Sequence, residues 1–362
     1  RIMDNLEANI KLNEETPLWV LMDITLLSSF NTNNLSYEFY LNKCFTKINE
    51  IQSHSLLYGT VNLGYLLMLG KQKEQQLNIL NKVICNAVCE MNWSFDTSRD
   101  ALIGLSGIGN YLLCFEGKMY DQAVKQILKY LCDREYRIDS FYLDVEQIID
   151  LNKKKSFPNG HYDLGLSHGL AGILLFLTNS FSKFKMNILE NLIKDIQNFY
   201  LENVKFDSFG IYWPEFVVNN CKSEQHRKRE SWCYGSPGIL NSLLKSAKIL
   251  KNNNLQMEME ERIIQLSLRP TDSLGLEKLH ICHGYAGYHL FLEKWKTELT
   301  INDCYNNPDK IRLNLDGQNK NELSNEQTYS RFEGILSDYI AMDYEKQSEH
   351  VKNIINKMYL LD

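Results

Sequence analysis

Six glycines, Gly59, Gly104, Gly169, Gly235, Gly284 and Gly334, each open an apolar run of helical length, at intervals of 45, 65, 66, 49 and 50 residues. A weaker copy without glycines stands ahead of them at 17–27, where Pro17 is followed by Leu18, Trp19, Val20, Leu21 and Met22. Seven units in 362 residues are about 52 residues each. A repeat of that size holds two helices and their connections. The Gly-led helices are apolar almost all round, so they must be buried. Between them lie amphipathic stretches. Residues 36–51 place Tyr37, Tyr40, Leu41, Cys44, Phe45 and Ile48 at helical spacing, and 74–91 place Leu77, Leu80, Val83, Ile84, Ala87 and Val88 likewise. The same period runs through 119–132, 185–201, 239–251, 257–268 and 345–360. The predicted fold is all-α: an α/α toroid of about seven helical hairpins, with a buried inner ring and a half-exposed outer ring. Successive inner helices then run parallel, and their N-termini gather at one end.

Composition agrees. Hydrophobic residues make up 44% and charged residues 23%, enough for one large core, and only six prolines interrupt the chain. No linker divides it, so 1–362 reads as one domain. The net charge of -6 supplies no basic field for nucleic acid. No apolar run approaches the roughly 20 residues that span a bilayer, and no secretory signal is visible, so a cytoplasmic protein is expected. The two long intervals hold small insertions. One, at 134–163, has extended pieces around Phe141, Tyr142 and Leu143 and a turn at 157–160. The other, at 204–218, alternates and is aromatic, as a hairpin or lip on the barrel mouth would be. Residues 301–329 are polar and read as a long surface loop.

The chemistry sits where three of the glycines open their helices. The sequence reads Leu166-Ser167-His168-Gly169, then Trp232-Cys233-Tyr234-Gly235, then Ile281-Cys282-His283-Gly284. If the repeat aligns, Cys233, Cys282 and His283 meet at the mouth of the ring. Two thiolates and an imidazole are donors that zinc favours, and three protein donors leave a fourth position for substrate. Of the nine cysteines, Cys44, Cys85, Cys89, Cys114 and Cys132 lie in helical apolar patterns and read as small buried hydrophobes. Cys221 and Cys304 receive no role. His168 shares the aligned position and is either a buried histidine or an acid/base group. His280 and His289 fall out of phase and read as structural. Asp100 lies four residues before Gly104 and is either a helix cap or a site carboxylate. Arg229 stands in the basic run His226-Arg227-Lys228-Arg229, which taken alone reads as a solvated loop.

Leu-Ser-His-Gly-Leu-Ala-Gly, Trp-Cys-Tyr-Gly-Ser-Pro-Gly and Cys-His-Gly-Tyr-Ala-Gly, in this order and spacing, closely resemble the lanthionine synthetase C-like proteins, above all the stand-alone cyclases of lantibiotic biosynthesis. The resemblance implies an α/α toroid with one zinc ion held by Cys233, Cys282 and His283. It implies an acid/base role for His168 and supporting roles for Asp100, Arg229 and Tyr234. The implied activity is addition of cysteine thiols to dehydroalanine or dehydrobutyrine, giving (methyl)lanthionine thioether rings in a precursor peptide. A dehydratase and a peptide transporter are the implied partners, and they would place the protein at the inner face of the membrane. The chain departs from the pattern in the first two units, which lack the full Gly-x-x-Gly, and in the seventh, which reads Glu333-Gly334-Ile335-Leu336-Ser337.

Other functions remain open on sequence grounds. A zinc-containing scaffold of the same family could bind glutathione or a signalling partner without cyclising anything. The chain could be the cyclase part of a larger synthetase, although Tyr234 fits the stand-alone type better. An α/α-barrel glycosidase needs paired carboxylates at the mouth, where Asp100 and Glu333 are the aligned acids, and it would leave Cys-His-Gly without a task.

Overall fold

The computed structural model describes residues 14–30, 34–70, 73–91, 97–132, 137–148, 151–218, 229–299 and 330–362. The loop at 301–329, Cys221 and Cys304 lie outside them.

Among the described residues the inner ring has seven helices: α1 (Leu18–Ser28), α3 (Thr60–Leu69), α5 (Leu105–Leu112), α8 (Leu170–Phe184), α10 (Ser236–Ile249), α12 (Tyr285–Leu299) and α13 (Ile335–Asp343). Each packs on the next, and α13 packs back on α1, so the ring closes. Outside them lie α2 (Asn34–Thr46), α4 (Glu74–Glu90), α6 (Lys118–Leu131), α9 (Asn187–Glu202) and α11 (Asn253–Ser267), each against the inner helix that precedes it. The division follows from pattern. Nearly every residue of α1 is buried, whereas α6 buries only Ala123, Val124, Ile127, Leu128 and Leu131, a single stripe.

The repeat alignment is visible in the backbone. The residue two places before each glycine hydrogen-bonds to its counterpart in the next unit. Leu57 N–H donates to Leu102 C=O (2.9 Å), and Leu102 N–H to Ser167 C=O (3.1 Å). After a slip of one residue, Leu166 N–H donates to Cys233 C=O (2.8 Å), Cys233 N–H to Cys282 C=O (3.2 Å) and Cys282 N–H to Phe332 C=O (2.8 Å). This necklace runs round the mouth and satisfies backbone groups ahead of the helix N-termini. It requires close approach. A Cβ on Gly238 would stand 2.7 Å from the Cβ of Leu166, and one on Gly287 2.6 Å from the Cβ of Trp232, in each case on the preceding unit's motif.

The final helix, α14 (Glu349–Met358), departs from the expected pattern. It packs on inner helix α3, not in the outer layer. The residues after it run among inner-ring side chains: Trp232 Nε1–H donates to Tyr359 C=O (2.7 Å) and Asn241 to Leu361 C=O (3.0 Å).

The insertions form small structures at the mouth. Residues 138–141 are a 3-10 turn, not a strand, and Leu143 pairs with His161 through a single bridge. A short helix α7 (Leu151–Ser156) leads to β1 (Tyr162–Asp163). In the second insertion β2 (Lys205–Asp207) and β3 (Gly210–Tyr212) form the expected hairpin, and β4 (Phe216–Val217) pairs with β1. Among the described residues no helix is long and apolar enough to cross a membrane. Two cysteines depart from the buried expectation: Cys89 is exposed and Cys114 is half-buried. The buried stripe of α4 ends at Val88, and the next residue turns about 100° away from it.

Candidate metal centre and acid/base site

The loop from Arg229 to Gly235 is fixed before any ligand is considered. Glu230 is buried, and its Oε2 accepts the Ser236 N–H at the start of α10 (2.6 Å), where a helix N-terminus favours negative charge. Arg269 lies 3.8 Å from its other oxygen. Both the backbone N–H and the hydroxyl of Ser231 donate to Tyr234 C=O, each at 2.9 Å, closing a tight turn. Gly235 adopts φ 111°, a conformation that suits glycine.

The turn delivers Cys233 to its partners. Cys233 Sγ lies 2.8 Å from His283 Nδ1, and Cys282 Sγ lies 3.7 Å from His283 Nε2. The three side chains offer donor atoms within 4.8 Å of one another. Ligands about 2.0–2.3 Å from a tetrahedral zinc ion stand roughly 3.5–3.8 Å apart, so this donor set fits the ion in chemistry and in spread. Cys233 is buried, while Cys282 and His283 are half-buried, so the cluster faces the mouth on one side. Burial pushes the Cys233 thiol up, but hydrogen bonds with Cys282 and His283, and the charges of His283 and Arg229, bring it well below the usual cysteine value. Cys282, which donates to that thiolate, is held above it. His283 Nε2 also lies 3.5 Å from Glu333 Oε1, and its backbone N–H donates to His280 Nδ1 (3.4 Å). A carboxylate behind a ligand histidine orients the ring.

Asp100 is buried in the turn ahead of α5, whose N-cap residue is Gly104, so it is not the helix cap. Its Oδ1 accepts the N–H groups of Leu102 (2.8 Å), Ile103 (2.7 Å) and Gly104 (3.0 Å) and fixes that turn. Its Oδ2 accepts the Ser98 hydroxyl (2.9 Å) and faces His168 Nδ1 at 3.0 Å. Burial disfavours charge on His168, yet the Asp100 hydrogen bond, with the charges of Asp100 and Asp163, raises its pKa above the ordinary histidine value. A raised pKa favours the protonated, proton-donating form of the ring.

Two residues that link the halves of the site escaped the sequence reading. Asp163, buried on β1, accepts from Tyr234 Oη (2.7 Å) and from Gly165 N–H (2.9 Å). Burial keeps Tyr234 far above the usual phenol range, so it stays a neutral donor directed at Asp163. Glu215, on the aromatic lip, sits 2.9 Å from Arg229 Nε, and the guanidinium lies 5.5 Å from the Tyr234 ring centre. Arg229 is therefore held at the site, not solvated in a basic loop. On the lip, Trp213 is buried and donates to Tyr200 C=O (2.8 Å), while Phe206 and Phe209 are exposed.

The family model of the lanthionine synthetase C-like proteins matches residues 26–354. The nisin biosynthesis protein NisC of Lactococcus lactis subsp. lactis is 27% identical over 269 residues, 66% of this chain. The match spans 63% of that relative's length. The solved structure of a nisin cyclase superposes with a TM-score of 0.81 at 23% identity, covering 99% of this chain and 96% of the other. At that identity the likeness shows the α/α toroid, including its closure.

Proposed function

Because this chain belongs to the lanthionine synthetase C-like family, we propose that it is a zinc-dependent peptide cyclase. Its substrate would be a dehydrated precursor peptide, and its reaction the addition of a cysteine thiol to dehydroalanine or dehydrobutyrine. The observation that carries this reading is the convergence of Cys233, Cys282 and His283 on one small volume at the same end of the ring as the His168–Asp100 pair. Cys233, Cys282 and His283 would hold the zinc, which when bound lowers the pKa of a substrate thiol at neutral pH.

The chain's own residues account for the rest. The substrate thiol gives its proton to solvent, from which His168 is later reprotonated; sulfur adds to the β-carbon, the carbon–carbon double bond opens, and negative charge moves to the carbonyl oxygen. Arg229, held at Nε by Glu215, would stabilise that oxygen. His168, held through Nδ1 by Asp100, gives a proton to the α-carbon from Nε2. The product is an isomer of the substrate. Tyr234 and Asp163 act as positioning groups, tying the Cys233 turn to the strand that precedes His168. A dehydratase that makes the substrate and a transporter that exports the product are the partners this chemistry calls for, in the cytoplasm at the inner face of the membrane.

The test is to mix the protein with a dehydrated, cysteine-containing peptide. Ring closure leaves mass unchanged but removes thiol alkylation. A metal-loaded protein that leaves every thiol alkylatable would overturn the reading and favour a scaffold that binds without cyclising.

A further inference from the structure

Beside His168 lies a cavity of about 310 Å³ that the metal chemistry does not use. One wall is the acid/base site itself: Asp100, Asp163 and His168. A further part of the wall comes from the first insertion, with Phe141, Leu143 and Ile148. A plain ring of helical hairpins would have no such wall, so the insertion encloses space next to the proton donor. Ile103 also lines the cavity, among polar neighbours that include Ser98 and Gln147. It occupies the position before Gly104 that holds His168, Tyr234 and His283 in other units, and it is 49% exposed. A large aliphatic side chain is thus presented at a position where neighbouring units place polar groups. Two cations line the cavity and both are engaged: Lys153 is 4.0 Å from Asp163 and 4.7 Å over the Phe216 ring, and Arg99 donates to Ser140 C=O. The cavity therefore offers apolar surface rather than a site for an acidic group.

We propose that this cavity is a specificity subsite for an apolar side chain flanking the dehydroamino acid of the peptide. The inference rests on the cyclase reading for the identity of the substrate. His168 acts at the α-carbon of the dehydroamino acid, and consecutive α-carbons are about 3.8 Å apart, so a neighbouring residue is the group within reach of the cavity. A leucine or isoleucine there is buried against Phe141, Leu143, Ile148 and Ile103; a glycine leaves those walls uncovered.

Two peptides test this, identical but for Leu or Gly on both sides of a single dehydroalanine. Ring closure is followed by loss of alkylation, and binding by fluorescence anisotropy with the peptide cysteine capped, so that no ring can form. The wild type should favour the Leu peptide about 10-fold or more in both kcat/KM and Kd. Ile103→Trp, which fills the cavity, should bring the two peptides near parity, with the zinc content and thermal melt of the wild type. Ile103→Ala should reduce the preference by a smaller factor. Equal binding of both peptides by the wild type, or an undiminished Leu preference in Ile103→Trp, overturns the subsite. If neither peptide is cyclised but capped Leu peptide still binds preferentially, the cyclase reading falls and the subsite stands.

Discussion

Two charged networks occupy the same end of the ring in different surroundings. At the junction of the seventh and first units, Arg331 is enclosed. Its backbone N–H donates to Asp23 (2.9 Å), its guanidinium to Asn62 (2.8 Å) and Leu56 C=O (3.1 Å), and it lies over Phe332 at 4.9 Å. Tyr58 donates to the same Asp23 (3.0 Å). Across the mouth, His168, Cys282 and His283 hold similar aligned positions but stay half open. The repeat supplies one backbone frame for both. Burial decides what each can do: the enclosed network closes the ring, and the open one can meet a substrate.

The comparison can be broken by substitution. His168→Ala should lower kcat/KM by about 10²–10⁴-fold with the melt and zinc content little changed, since it removes a proton donor and not a buried pair; a large loss of stability would mean that the open network is structural. Asp23→Ala should do the reverse. It leaves the Arg331 charge buried without its carboxylate, at a cost of about 3–5 kcal/mol in urea unfolding, while the folded fraction keeps its zinc. Glu333→Gln should weaken zinc binding by about 10-fold, the low end for a carboxylate behind a ligand histidine because Glu333 is exposed; a chelator titration reads it. Asp100→Asn is the subtlest case. In the proposed mechanism His168 must be protonated to act, and Asp100 raises its pKa. Activity should therefore fall at lower pH in the variant, moving the basic limb of the kcat/KM profile down. An unmoved limb would detach Asp100 from His168.

Much of the ring was legible because close approach leaves a mark in sequence. Gly238 and Gly287 are glycine where a neighbouring unit's motif touches the backbone, and that regularity aligned Cys233 with Cys282 before any coordinates. The offset of Asp100 from Gly104 suggested a helix cap, which it is not, and its contact with His168 carries no mark in that spacing. Asp163 and Glu215 were not legible, because they sit on insertions whose approach to the mouth follows from tertiary packing and has no period. The Arg229 pairing depends on Glu215 and was hidden with it. The course of α14 was hidden for a related reason: its amphipathic stripe states that one face is buried, not which surface buries it.

The central claim is that the open network is a zinc site that forms thioether rings. The most direct measurement pairs zinc per chain with loss of alkylatable thiol in a dehydrated peptide, for the wild type and Cys282→Ala. The account predicts one zinc per chain and ring closure in the wild type, and neither in the variant. A metal-free Cys282→Ala protein that closes rings at the wild-type rate would contradict it.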